Sequence, residues 1–291
     1  MKNFLLLCFI TLAQCFTPIF AKLSVAEISP ISFGFIRFGA ASILFYITLK
    51  SRKQNLKFDR KDLPLLALLG LLCIPLNQFF FLTGIKLSYA SHSGIIYSLN
   101  PVFAYLIAVT RKNEKFYFVK LVSILLTVIG IFFVFYHGLQ ESSNNVVSGD
   151  ILLIIAVFTF SMYLSLGKEV IEKYGALKVT TFVFLIGSVF YIPLFIYDLP
   201  NFTLSALTYK GVIGYIYLTI IVAYLAYFFW YYALKTIPVS KLTTLSNISP
   251  VLTVFFSIVF LSEKISVYFM IGGAITIIGV LIMRKVSIEL A

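Results

Sequence analysis

The sequence predicts an all-α polytopic membrane protein of ten transmembrane helices, arranged as a 5+5 inverted repeat. Three observations carry this. The 291-residue chain is 60% hydrophobic and only 12% charged, with mean hydropathy +1.01, whereas soluble domains run near ~25% charged. Its apolar runs approach the ~20 residues that a helix needs to cross a bilayer. A shift of 149 positions also lays one stretch on another without a gap: Lys86 falls on Lys235, Ser91 on Ser240, Pro101-Val102 on Pro250-Val251, Glu114-Lys115 on Glu263-Lys264, and Thr127 and Gly130 on Thr276 and Gly279. A fixed offset near half the chain length marks two copies of one unit, here 1–140 and 141–291.

The apolar segments number ten, roughly 3–22, 31–50, 63–85, 90–110, 116–136, 148–167, 178–198, 210–233, 239–261 and 266–284. The first has the look of a signal peptide, and Leu-Ala-Gln-Cys resembles a poor lipobox. Gln14 stands where such a site needs a small residue, so the segment reads as a retained helix. Connections are short except Ser51–Asp62 and His137–Gly149, the second a polar, turn-rich seam between the copies. Cys8, Cys15 and Cys73 lie in apolar runs without CxxC spacing, as small core residues do.

Alternate connections separate the charge. Eighteen of the 23 Lys and Arg fall on one side, four (Lys22, Lys86, Lys210, Lys264) on the other, and Arg37 lies inside a span. The positive-inside rule then places both termini in the cytoplasm, and the net charge of +12 reflects a membrane orientation, with no nucleic acid partner implied. Five spans per copy is an odd number, so the second copy enters the membrane from the opposite side. Two inverted copies can exchange roles, one opening inward and the other outward, which is the basis of alternating access.

Polar residues inside the spans are the candidate site. Arg37, about a third of the way into the second span, costs ~2.5–3.5 kcal/mol on insertion scales unless paired or hydrated. It either faces a cavity and takes a carboxylate or phosphate, or snorkels to the interface beside Glu27 or closes a helix contact. In span 4, Ser93, Tyr97 and Asn100 follow at helical spacing and end before Pro101. In span 9, Ser240, Thr243 and Asn247 end before Pro250. A proline frees a backbone carbonyl that persists at membrane depth only against protein or water, so both stripes read as cavity walls with Pro101 and Pro250 as hinges, or as interhelical hydrogen bonds. Asn77 and Gln78 follow Pro75, and Gln14 precedes Pro18. Tyr224 and Tyr227 lie deep in span 8, where they would stack an aromatic or cage a cation. Tyr163 in span 6 is similar, whereas Trp230, Tyr231 and Tyr232 fit an aromatic belt. His92, near the external start of span 4, would gate or sense pH, or is a plain interfacial histidine. Gly130, Gly272, Gly273 and Gly279 suit close helix contact, within the chain or in a homodimer. None of the eleven acidic residues falls in mid-span, which argues against a carboxylate-based proton, sodium or metal site and favours a facilitator or exchanger. No cofactor fingerprint is present.

On these residues the chain resembles a known family. Phe35-Ile36-Arg37-Phe38-Gly39-Ala40, Gly84-Ile85-Lys86 through Asn100-Pro101 to Glu114, Ala233-Leu234-Lys235 through Ser249-Pro250 to Glu263, and Gly272-Gly273-Ala274 to Gly279 make each half look like an EamA unit of the drug/metabolite transporter superfamily. The resemblance covers nearly the whole chain. It implies ten helices, a central substrate cavity, and export or exchange of small metabolites such as amino acids.

Five functions are weighed, one of them a non-transporting assembly protein, which would show lipid-facing apolar spans without polar interior stripes. The first is a carrier of a small polar metabolite in a bacterial inner (plasma) membrane, working by alternating access. The second is an importer of a nucleotide-type metabolite such as S-adenosylmethionine. A cationic drug exporter is weakened because no interior acid would hold the positive charge. A polytopic membrane enzyme would need His, Asp or Cys groups converging at one face, and two scattered histidines do not supply them.

Overall fold

The computed structural model describes residues 2–55, 57–112, 114–140, 144–203, 208–236 and 248–289. Among these residues there is no strand. Ten helical spans succeed one another: α1 (Lys2–Val25), α2 (Pro30–Ser51), α3 (Arg60–Leu87) and α4 (Ala90–Thr110), α5 (Phe118–Gln140), α6 (Asn144–Tyr174), α7 (Ala176–Asp198), α8 (Tyr209–Trp230), α9 (Ser249–Leu261) and α10 (Val267–Glu289). Eight are long and apolar enough to cross a membrane, and α9 and α10 contribute two shorter apolar stretches.

Their ends obey local chemistry. Pro30 opens α2, where its missing N–H is no loss. Asp198 accepts from Ser32 N at 3.1 Å and Ser32 Oγ at 2.6 Å, satisfying first-turn donors that water cannot reach. Gly175, at φ 82°, breaks α6 from α7, a conformation that a Cβ disfavours. On the exposed connections, Glu27 accepts from Thr208 Oγ1 at 2.5 Å and Thr208 N at 2.9 Å, and those bonds hold its carboxyl below the usual carboxylate range. Lys173 Nζ pins the Ser51–Asp62 connection through Asp59 at 2.5 Å and Asp62 at 2.7 Å.

The seam departs from expectation. His137–Gly149 reads as a loop, yet α5 continues through Gln140 and α6 begins at Asn144. Residues 141–143 lie outside the described set. Polarity marks where the membrane ends, and a helix with solvated backbone ends can continue past it.

The inversion is visible in the packing. Ala90 N and Ser91 N donate to Glu263, just beyond α9, while Gly94 lies against Thr253 and Pro250. Along α5 and α10, Ser123 and Thr127 meet Gly279, Gly130 meets Thr276 and Gly272, and Tyr136 meets Tyr268. Along α2 and α7, Ser32 meets Asp198, Phe35 meets Phe195 and Phe38 meets Phe184. Numbers rise on one helix as they fall on the other, so matched spans run antiparallel. Exchanging the halves also maps the contacts onto themselves: α3 packs on α6 as α8 packs on α1, α4 on α6 as α9 on α1, and α3 on α7 as α8 on α2. Single cysteines placed at Lys112 and Ser262, both exposed, should therefore react with an impermeant maleimide from opposite faces of the bilayer. Labelling from one face would refute the inversion.

The two larger of four buried apolar clusters among the described residues meet in the interior. One includes Ile19, Phe33, Leu82, Ile95 and Leu218. The other includes Phe38, Phe45, Leu69, Tyr163 and Phe184. Phe33 belongs to the first and Phe38 to the second, which puts Arg37 at their boundary.

Candidate functional site

Two π-helical turns prepare this boundary. In α3, residues Leu72–Leu76 widen around Pro75, which cannot donate to the helical ladder. In α8, Tyr217–Ala226 widens likewise. Shifting the first by 149 places it on 221–225, inside the second, so each half carries the device in its third span. A π turn disturbs the i→i−4 ladder and leaves carbonyls available to other donors. One of these is used: Arg37 Nε donates to Leu218 O at 3.0 Å.

From Arg37 a polar chain crosses the protein. Its Nη1 reaches Gln78 Oε1 at 3.5 Å, a marginal distance. Gln78 Nε2 donates to Asn77 Oδ1 at 2.6 Å, and Asn77 Nδ2 donates to Ala156 O at 2.7 Å. The guanidinium also lies over the Phe38 ring, 4.8 Å from its centroid, a cation–π contact. Tyr97 and Tyr227 lie within electrostatic reach of it, and the Tyr97 phenol lies against Asn77. The chain runs through α2, α3, α6 and α8, so it joins the two halves. Arg37 is 3% exposed and makes no ion pair among the described residues. Snorkelling beside Glu27 is excluded, because Arg37 is buried and Glu27 is held by Thr208. A buried cation facing only neutral acceptors leaves an uncompensated charge.

The other candidates are dispersed. Tyr224 OH meets Thr48 Oγ1 at 2.6 Å, towards the Lys/Arg-rich face and away from Arg37. Tyr224 and Tyr227 still share one aromatic cluster, Tyr224 packing on Phe45 and Tyr227 on Phe184, which themselves touch. Tyr163 is 3% exposed within the second apolar cluster. Ser93 folds onto its own helix, donating to Ala90 O at 2.8 Å. Asn100 Oδ1 accepts from Ser161 Oγ at 2.6 Å, an α4–α6 link. Gln14 is exposed on the side of α1 opposite Leu5 and Leu12, which turns it away from the lipid-facing stripe. Span 4 breaks at Ser98-Leu99, and Pro101 sits in the first turn of its second segment. Pro250 occupies the same place in α9. Ser240, Thr243 and Asn247 lie outside the described residues.

Two further corrections concern charge. His92, at the start of span 4, is not exposed there: it is fully buried in the protein and bonds Asp150. The acids do avoid mid-span, but Asp150 at 0% and Asp198 at 4% exposure are buried in the protein. Sequence pattern had no means of joining His92 to an acid 58 positions away, or Arg37 to a backbone carbonyl.

Comparison with known proteins gives the same outline. The model of the EamA-like transporter family matches residues 1–136 and again 147–285. An uncharacterized transporter of Archaeoglobus fulgidus is 28% identical over 284 residues, covering 96% of each chain. The uncharacterized transporter YetK of Bacillus subtilis is 26% identical over 264 residues, covering 90% of this chain and 80% of its own. A probable terminal-alkyne amino-acid exporter of Streptantibioticus cattleyicolor is 22% identical over 225 residues, covering 77% and 74%. A protein of known crystal structure, 16% identical, superposes with a TM-score of 0.65 over 98% of this chain and 97% of its own, which shows a shared fold alone.

Proposed function

The chain belongs to the EamA-like transporter family of the drug/metabolite transporter superfamily, a membrane transporter and not an enzyme, and from that premise we propose that it carries a small metabolite bearing a carboxylate, with amino acids first among the candidates. One observation supports this above the rest: Arg37, nearly sealed from solvent and joined to both halves, faces neutral acceptors only among the described residues. A guanidinium matches a carboxylate or phosphate in two parallel hydrogen bonds. Asn77, Gln78, Tyr97 and Tyr227 supply neutral polar and aromatic groups around it. The halves must separate on one side or the other before a substrate reaches it, which is alternating access. The named amino-acid exporter among the relatives fits export or exchange across an inner membrane with both termini cytoplasmic, the orientation that the Lys and Arg distribution favours. A cationic drug would meet Arg37 as a like charge.

A panel of metabolites tested by thermal unfolding of the purified protein checks this reading. A ligand at a hundred times its Kd stabilises the folded state by about 2.7 kcal/mol. Amino acids or other carboxylates should raise Tm, and the matching decarboxylated amines should not. If only amines or cationic drugs raise Tm, the carboxylate reading is lost. A response to S-adenosylmethionine above all amino acids would favour the nucleotide-type importer.

A further inference from the structure

A groove of about 320 Å³ opens between α2 and α8, with Ala40, Ile43 and Leu44 on one wall and Tyr215, Thr219 and Ile220 on the other. That volume is at the lower end of the ~300–1,000 Å³ of ligand pockets. The groove faces lipid, since Ile43, Ile216 and Ile220 are exposed along it. Ala40 stands ten residues beyond Pro30 in α2, about 15 Å along a helix and so near the middle of a ~30 Å hydrocarbon core. Beside it the α2 wall is bare: a Cβ at Gly39 would meet nothing within 4 Å. The two helices run parallel here, with Phe33 on Tyr215, Arg37 on Leu218 and Phe45 on Tyr224. The groove therefore lies on the lipid side of the Arg37–Leu218 hydrogen bond. Thr219 links the two. It is 3% exposed, lines the groove and follows Leu218 directly. Other threonines in the spans return the hydroxyl to a carbonyl one turn back, Thr17 to Ala13, Thr181 to Leu177 and Thr276 to Gly272. Thr219 stands in the π turn, and its Oγ1 has no well-formed hydrogen bond among the described residues, although the Tyr215 phenol lies near it. A buried hydroxyl in that position is costly unless an acceptor reaches it.

We propose that this groove takes the alkyl chain of the carried molecule, so that the substrate is an amphiphilic carboxylate, its head on Arg37 and Thr219 and its tail between α2 and α8. The inference rests on the carboxylate reading of Arg37 and narrows it. One such molecule answers three separate features. Its carboxylate compensates the guanidinium, a carboxylate oxygen accepts from Thr219 Oγ1, and its chain covers the apolar walls. A phospholipid tail in the groove would cover the walls alone, leaving Arg37 uncompensated and Thr219 unpaired. A small polar metabolite would use Arg37 and leave the groove to lipid. The lengths agree: Leu44 stands seven residues beyond Arg37, about 10 Å along α2, which a chain of medium length spans. A molecule of this kind partitions into the bilayer before it binds, and the groove faces the bilayer. Entry is therefore lateral, between α2 and α8, with the head drawn inwards to Arg37 and the tail left among the groove residues.

The test uses dodecanoic acid carrying a mid-chain diazirine, photolysed with the protein in phosphatidylcholine nanodiscs and mapped by mass spectrometry. Label on the peptides holding Ile43 and Ile216 should fall about tenfold under excess dodecanoate and stay unchanged under dodecanol or dodecylamine. Label at Met270, exposed on α10, reports ordinary lipid contact and should respond to none of them. Thr219→Val keeps the shape without the hydroxyl and should cut the displaceable label several-fold, and Arg37→Ala should remove displacement by dodecanoate altogether. Displacement by all three competitors alike, displacement no greater than at Met270, or full displacement in Arg37→Ala overturns the amphiphile. The carboxylate reading survives that result if amino acids still raise Tm. If no carboxylate of any chain length displaces label or raises Tm, both readings fall. The three competitors are compared on the parent protein, so the outcome is decided even where a variant does not fold.

Discussion

Arg37→Ala is expected to abolish transport of a carboxylate substrate while the protein stays folded. The substitution removes the cation that the site presents. Two hydrogen bonds to a charged group at ~1.5–3 kcal/mol each amount to a loss of roughly a hundredfold or more in affinity. The fold has reason to survive it. Leu218 O and Gln78 Oε1 lose a donor, at about 1–3 kcal/mol for a buried orphaned group. The buried unpaired charge, itself costly at membrane depth, disappears at the same time, and the two effects oppose one another. Arg37→Lys keeps the charge without the planar fork, so it should retain partial transport, about tenfold below the parent. Uptake into proteoliposomes, using whichever carboxylate gives the largest thermal shift, measures all three proteins. Undiminished uptake by a normally folded Arg37→Ala protein would remove Arg37 from the substrate site.

The fold was legible in the sequence because hydropathy and repetition are properties of the chain itself. Among the described residues the apolar segments and their order reappear as helices with antiparallel partners, such as α4 with α9, the start of the ninth segment lying outside them. The seam at His137–Gly149 was not legible, since hydropathy reports the membrane boundary and says nothing of where a helix stops. The centre of the site was half legible. Arg37 stands out as the one basic residue inside a span, and Asn77 and Gln78 as adjacent amides beside a proline; all three share one chain of hydrogen bonds. In α8 helical spacing rightly put Tyr224 and Tyr227 together, since both pack on the Phe45–Phe184 pair, but it did not show that Tyr224 bonds Thr48 while Tyr227 lies near Arg37 across a π turn. Pro75 hints at the widened turn in α3, but its counterpart by the repeat is Tyr224, which gives no such hint. Asp150 and His92 lie in different halves, and a single chain read by local pattern offers nothing that pairs them.

Gly130→Leu is expected to be the most damaging single substitution for stability. A Cβ at Gly130 would lie 2.6 Å from Gly272 O and from Thr276 N, and closer still to Thr276 Oγ1. One at Gly272 would lie 2.6 Å from Gly130 O and 2.7 Å from Phe133 Cβ. Backbone faces backbone, so no rotamer relieves the clash and α5 and α10 must move apart. Helices in lipid associate through close packing and have no hydrophobic drive to come together, so separation forfeits contacts along the whole seam, including Gly279 against Ser123 and Thr127. Overpacking alone costs about 1–3 kcal/mol, and at about 2–4 °C per kcal/mol for a chain of this class the drop in Tm should be about 5–10 °C or more, with loss of monodisperse protein in detergent. Gly39→Ala is the control, since a Cβ there meets nothing within 4 Å, and its Tm should stay within about 2 °C of the parent. The comparison also separates two uses of the glycines. A seam closed within one chain predicts that Gly130→Leu destabilises the monomer itself. If Tm holds and only a dimer is lost on size-exclusion chromatography, these glycines serve contact between copies and the internal seam is wrong.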